Sequence, residues 1–143
     1  MLLDFINSLK ENAEYRDILG HYHYLAEKPV EYAEGDQGLS PAVLAALERL
    51  GIPRLYSHQG EALAHIRAGK HLLVATPTAS GKTLIYNLPV LESLLAEPRG
   101  HALYLFPLKA LEQDQLKALR ELDAALPSPF LEAAIYDGDT PPA

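Results

Sequence analysis

Lys82 and Thr83 stand behind Gly81 at the end of Thr76-Pro77-Thr78-Ala79-Ser80-Gly81-Lys82-Thr83, and no other stretch of the chain is so suited to chemistry. The chemistry is that of phosphate. In a tight loop of small residues, the backbone N–H groups of Thr78, Ala79, Ser80 and Gly81 can converge on an anion, and a following helix adds partial positive charge. Gly81 lets the backbone approach where a Cβ would clash. Lys82 would reach the β- and γ-phosphates of a nucleoside triphosphate, and the Thr83 hydroxyl would help hold Mg²⁺, so both are candidate catalytic residues. The pattern is a P-loop with one departure, Thr76 where the general form has its first glycine. A bare Gly-Lys-Thr is weak; its flanks give it weight.

Those flanks are the positioning elements. The apolar run Leu72-Leu73-Val74-Ala75 precedes the loop and Leu84-Ile85-Tyr86-Asn87-Leu88 follows it, which reads as strand, loop and helix. From His71 onward strand and helix alternate, predicting an α/β fold with parallel strands and flanking helices. The strands are expected at His71–Ala75, Ala102–Phe106 and Glu132–Tyr136. A helix runs from the loop to about Ala96, kinked or interrupted by Pro89. Another runs from about Ala110 to Leu122, with Pro127 and Pro129 beyond it. Ahead of these lies a helical lead-in. Leu2 to Leu19 has apolar residues at helical spacing. His21-Tyr22-His23-Tyr24-Leu25 and Lys28-Pro29-Val30-Glu31-Tyr32 look extended. The His21/His23 pair is weak as a metal site without a third ligand. Ser40 caps and Pro41 opens a helix that Gly51 closes, and Ser57 caps another from His58 to Ala68.

With 143 residues, 48% of them hydrophobic, the chain can bury a core of one domain. It has no cysteine, so no disulfide framework or thiolate metal site. No apolar run approaches a bilayer span and no signal-peptide pattern opens the chain, which favours a cytoplasmic setting. The net charge of −7 argues against a generally basic nucleic-acid binder, but it is unevenly spread. Residues 1–50 hold 9 acids and 4 bases, residues 51–110 hold 3 acids and 6 bases, and residues 111–143 hold 7 acids and 2 bases. The positive third carries the loop.

Further candidates sit around it. Gln59 lies 23 residues before Lys82, and its amide can pair with adenine N6 and N7, favouring ATP. Standing alone, it reads first as a solvated glutamine in a first helical turn. Tyr56 or Arg54 could stack on the base. Lys109 follows the second strand at the carboxyl edge of the sheet, where a nucleic-acid phosphate could be held without sequence readout. Gly138 and Thr140 lie at the same edge of the third strand. Their turn carries Asp137 and Asp139, so only its N–H groups and the Thr140 hydroxyl could bind phosphate; Asp-Gly is also an ordinary turn.

Together these motifs resemble superfamily 2 DEAD/DEAH-box helicases. Leu55-Tyr56-Ser57-His58-Gln59 looks like the glutamine motif, Ala75 to Thr83 like motif I, Pro107-Leu108-Lys109-Ala110-Leu111 like motif Ia, and Tyr136 to Pro141 like the block after the third strand. The combination is similar to the YprA/MrfA type, with the Lhr type next, and in this branch Thr76 is normal. It covers about residues 51–143 and leaves 1–50 as the lead-in. The resemblance implies a first RecA-like domain, ATP and Mg²⁺ as ligands, and DNA with a single-stranded segment as partner. Gln59 would read adenine, Gly81, Lys82 and Thr83 would hold phosphate and metal, and Lys109, Gly138 and Thr140 would touch the nucleic-acid backbone. No acidic box and no second motor domain follow within these residues. The resemblance therefore implies an amino-terminal piece that binds nucleotide weakly, does not turn it over, and exposes apolar surface when alone. Two other readings stand beside it: a P-loop ATPase of another class, and a truncated, non-enzymatic interaction module.

Overall fold

The computed structural model describes residues 2–16, 18, 21, 23, 25–26 and 29–140. Among the described residues, six helices follow one another: α1 (Leu2–Glu11), α2 (Ala13–Arg16), α3 (Pro41–Arg49), α4 (Ser57–Arg67), α5 (Lys82–Ala96) and α6 (Lys109–Ala124). None of the described helices is long and apolar enough to cross a membrane. The single helix expected over Leu2–Leu19 is broken at Asn12. Its Oδ1 accepts from the Glu14 N–H at 2.9 Å and so starts α2 with a side-chain cap. The end of that expected helix, and the extended stretches at 21–25 and 28–32, fall partly outside the described residues.

The core is built by α3 to α6. The Ser40 hydroxyl accepts from Val43 N–H as foreseen, and Pro41 takes the first turn, where it forfeits no hydrogen bond. Val43, Ala46 and Leu47 of α3 then pack with Leu55, Leu63, Leu88, Leu91, Leu122 and Leu126. Each large apolar side chain buried there contributes about 1.5–3 kcal/mol. Two polar ties fix α3: Glu92 Oε1 accepts from both Ser40 N–H and its hydroxyl, and Arg49 donates to the Ala125 carbonyl at 2.9 Å. Helix α5 does not end at Pro89 but continues to Ala96. Helix α1 packs against α2 and buries no residue.

The three predicted strands differ from expectation. Among the described residues, segments 71–75, 102–106 and 132–136 form no ladder; an isolated antiparallel bridge joins Tyr32 to Tyr56 instead. A helix satisfies its own backbone, whereas a strand must have a neighbour alongside. The alternation that betrays an extended chain is nevertheless present. Val74, Tyr104, Phe106, Ala133 and Ile135 are half-buried, while Leu73, Leu103, Leu105 and Tyr136 between them are exposed, Leu73 by 92%. The sheltered faces rest on the helices: Tyr104 meets Tyr86 of α5 edge-on, and Arg120 of α6 donates to the Ala133 carbonyl.

Candidate phosphate-binding site

The chain turns at Gly81, whose φ of 75° makes it the left-handed cap of α5. A Cβ there would come within 2.5 Å of Gln59 Nε2, so both conformation and space demand glycine. Ala79 also has a positive φ, 61°, which costs a non-glycine residue of order 1–3 kcal/mol and implies support from its surroundings. That support is visible. The Thr76 and Ser80 hydroxyls pair at 2.6 Å across the loop, and His58 Nε2 lies 2.9 Å from the Ser80 carbonyl, so this nitrogen carries the proton. Gln59 Nε2 donates to the Gly81 carbonyl at 2.9 Å.

Within this turn the residues singled out from the sequence come together. Apart from the Pro77–Ser80 turn, no backbone amide of residues 78–83 is matched with an acceptor among the described residues, so these N–H groups can meet an anion. Lys82 Nζ curls back onto the loop, donating to the carbonyls of Thr76 at 2.9 Å and Pro77 at 2.6 Å. An incoming phosphate would draw the ammonium off these carbonyls. Thr83 lies in the first turn of α5, its hydroxyl 3.5 Å from Tyr86 Oη, and the Tyr86 hydroxyl donates to Gln115 of α6. An ammonium, a hydroxyl and unpartnered amides at a helix N-terminus suit a triphosphate with a magnesium ion.

Gln59 is placed differently from an exposed base reader. It is 2% exposed, its Oε1 accepts from Tyr56 N–H at 2.8 Å, and its Nε2 is bound to the loop. The first of these bonds corrects the expected cap of α4: Ser57 is already helical, and the side chain serving the helix start is that of Gln59, three residues on. Beside it, Tyr56 stacks between His58 and Tyr32, with ring centroids 5.7 and 5.6 Å away, and Arg54 lies over the Tyr32 ring at 4.6 Å. Sequence reasoning missed His58, Tyr32 and Gly60. A Cβ on Gly60 would meet Ala33 Cβ at 2.7 Å, and the signal was a glycine inside a helix without a capping reason.

The second set of candidates gathers at the start of α6. Lys109 Nζ is bound to the Asp139 carboxylate and lies 3.4 Å from Asp137. The hydrogen bond to Asp139, joined by Asp137, holds the Lys109 ammonium above its usual range. The Asp139 N–H, with Lys109 adding to it, holds the Asp137 carboxyl below its usual range. Thr140 Oγ1 accepts from Asp137 N–H at 2.9 Å, and the Thr140 N–H bonds the Asp137 carbonyl, so these groups are spent inside the turn. Gly138 is exposed at its tip. The imidazoles of His21 and His23 stack 6.4 Å apart, and no group of three metal-ligating side chains occurs among the described residues.

Residues 56–142 match the DEAD/DEAH box helicase family model. The chain is similar to the uncharacterized ATP-dependent helicase YprA of Bacillus subtilis (strain 168), 38% identical over 142 residues, covering 99% of this chain and 18% of that protein. It is also similar to the ATP-dependent DNA helicase Hel308 of Pyrococcus abyssi, 41% identical over 106 residues, covering 73% of this chain and 14% of that protein. Among solved structures, the DUF1998 helicase MrfA bound to DNA and AMPPNP superposes with a TM-score of 0.79 at 36% identity, covering 95% of this chain and 19% of that one. The chain thus spans less than a fifth of the length of these relatives.

Proposed function

The chain belongs to the DEAD/DEAH box helicase family, and from that premise we propose that it forms the ATP-binding part of an ATP-dependent DNA helicase. Residues 51–143 are read as the beginning of a RecA-like domain and residues 1–50 as its lead-in. The carrying observation is the Gly81 turn, where unpartnered amides, Lys82 and Thr83 meet at one helix start. The amides of residues 78–83 cradle phosphate oxygens, Lys82 leaves its loop carbonyls for the β- and γ-phosphates, and His58 and Gln59 keep the loop in shape. The Thr83 hydroxyl would help hold a magnesium ion, which would supply positive charge to offset that of the phosphates. Gln59 reaches adenine only by giving up one of its internal bonds.

In the same reading the segments at 71–75, 102–106 and 132–136 are parallel strands that pair within a fuller sheet, and their alternating exposure supports this. Lys109 and Gly138 contact the backbone of single-stranded DNA, in a cytoplasmic protein, and Thr140 joins them only by giving up a bond inside its turn. Support for a DNA partner comes from Hel308, named a DNA helicase, and MrfA, solved with DNA. The 143 residues alone bind nucleotide weakly without turning it over. Calorimetric titration with Mg-ATP tests this: weak binding is expected for the chain and none for Lys82→Ala. Equal heats from both proteins, or turnover by the chain that vanishes in Lys82→Ala, would overturn it.

A further inference from the structure

Lys109 already has an anion. Its ammonium is bound to the Asp139 carboxylate, with Asp137 at 3.4 Å and Glu112 adding negative potential from the same helical turn. The two aspartates are unlike. Asp137 is committed to its own turn, accepting from the Asp139 N–H at 2.9 Å and facing the Thr140 hydroxyl at 3.4 Å. Asp139 has an 84% exposed side chain, and among the described residues its carboxylate bonds to Lys109. It is therefore the carboxylate that can move away without undoing the turn.

We propose that Asp139 occupies Lys109 in place of a nucleic-acid phosphate, so that strand binding is an exchange of one anion for another rather than the capture of a free cation. This rests on the reading of Lys109 as a backbone contact. The exchange has a signature. A lysine that neutralises a phosphate releases a counterion, but an aspartate stripped of its lysine takes a cation up, so the contact adds little net salt dependence. Asp139 thereby lowers affinity most at low salt, where screening is weakest.

The test is binding of a fluorescent single-stranded oligonucleotide by the full polypeptide, across a salt series without nucleotide. Asp139→Asn is expected to bind about three- to fivefold more tightly near 50 mM salt, with a log–log salt slope steeper by about 0.7. Lys109→Ala in the Asp139→Asn background should abolish both gains. Asp114→Asn, an equal charge change on the same helix away from Lys109, should give neither. If Asp139→Asn matches Asp114→Asn while Lys109→Ala still weakens binding in the Asp139→Asn background, the exchange is wrong and the lysine contact stands. If Lys109→Ala changes nothing in either background, the lysine contact fails and the exchange with it.

Discussion

The segments at 71–75 and 102–106 are richer in apolar residues than the helices α3 to α6, yet it is the helices that bury theirs. Leu63, Leu88 and Leu91 in the helices are no more than 1% exposed, whereas Leu73, Leu103 and Leu105 in the segments are 84–92% exposed. The difference lies in the backbone. A helix meets its hydrogen-bonding needs within itself and needs one packed face, while an extended segment needs neighbours on both edges and cover on both faces. Four helices can therefore complete a layer in a chain of this length, and the segments beside it stay half-covered. The Gly81 loop sits at the joint, leaving the 71–75 segment and entering α5.

The largest effects should separate the two regions directly. Leu88→Ala is expected to cost about 2–5 kcal/mol of unfolding free energy, as for other fully buried leucines. Leu105→Ser in the 143-residue chain should cost less than about 0.5 kcal/mol, because nothing covers it. Urea denaturation followed by circular dichroism compares them, and similar costs would erase the distinction. Next comes Gly60→Ala, which drives a Cβ into Ala33 and Gln37 and should cost about 1–3 kcal/mol in the same assay. Gln59→Leu should cost about 1–3 kcal/mol by stranding Tyr56 N–H, and should weaken Mg-ATP binding as the Gly81 carbonyl loses a donor. A Gln59→Leu chain with unchanged stability would mean that the loop and α4 are not coupled. The smallest effect concerns Tyr104, where a segment touches the helices. Burial, with Tyr86 adding to it, pushes its phenol up to about 12. The folded form keeps this proton longer than the unfolded one, so its contribution is whole below the ordinary tyrosine pKa, about 10, and is lost as pH rises toward 12. Ultraviolet titration should show a late-ionising phenol that disappears in Tyr104→Phe.

Helices carry their own punctuation, so Ser40-Pro41, Gly51 and Gly69 marked their limits closely. The start of α4 was misread by one residue because its cap is Gln59 reaching backwards, a tertiary arrangement that Ser57 outranks on propensity. Pro89 was expected to disturb α5, but Leu88 and Leu91 on either side of it are buried, and that packing outweighs one missing N–H. The break at Asn12 turned on a side chain choosing the backbone two residues on, which periodicity does not register. At the candidate site, residue types foretold the turn at Gly81 and the helix that starts at Lys82, since a loop of small residues ending in glycine can turn so sharply. They did not foretell that Lys82 would rest on Thr76 and Pro77, that Lys109 would be engaged by Asp139, or that His58 would hold the loop. Each depends on which residues meet through space, and one chain read alone carries no signal for that.

One further consequence follows from Gln59, whose two amide atoms grip Tyr56 on one side and Gly81 on the other. A side chain bonded at both ends of its amide acts as a spacer, limiting how far the mouth of the loop can move from the start of α4. Asparagine, with the same amide on a stem one methylene shorter, would span only one grip at a time and leave the mouth free to widen.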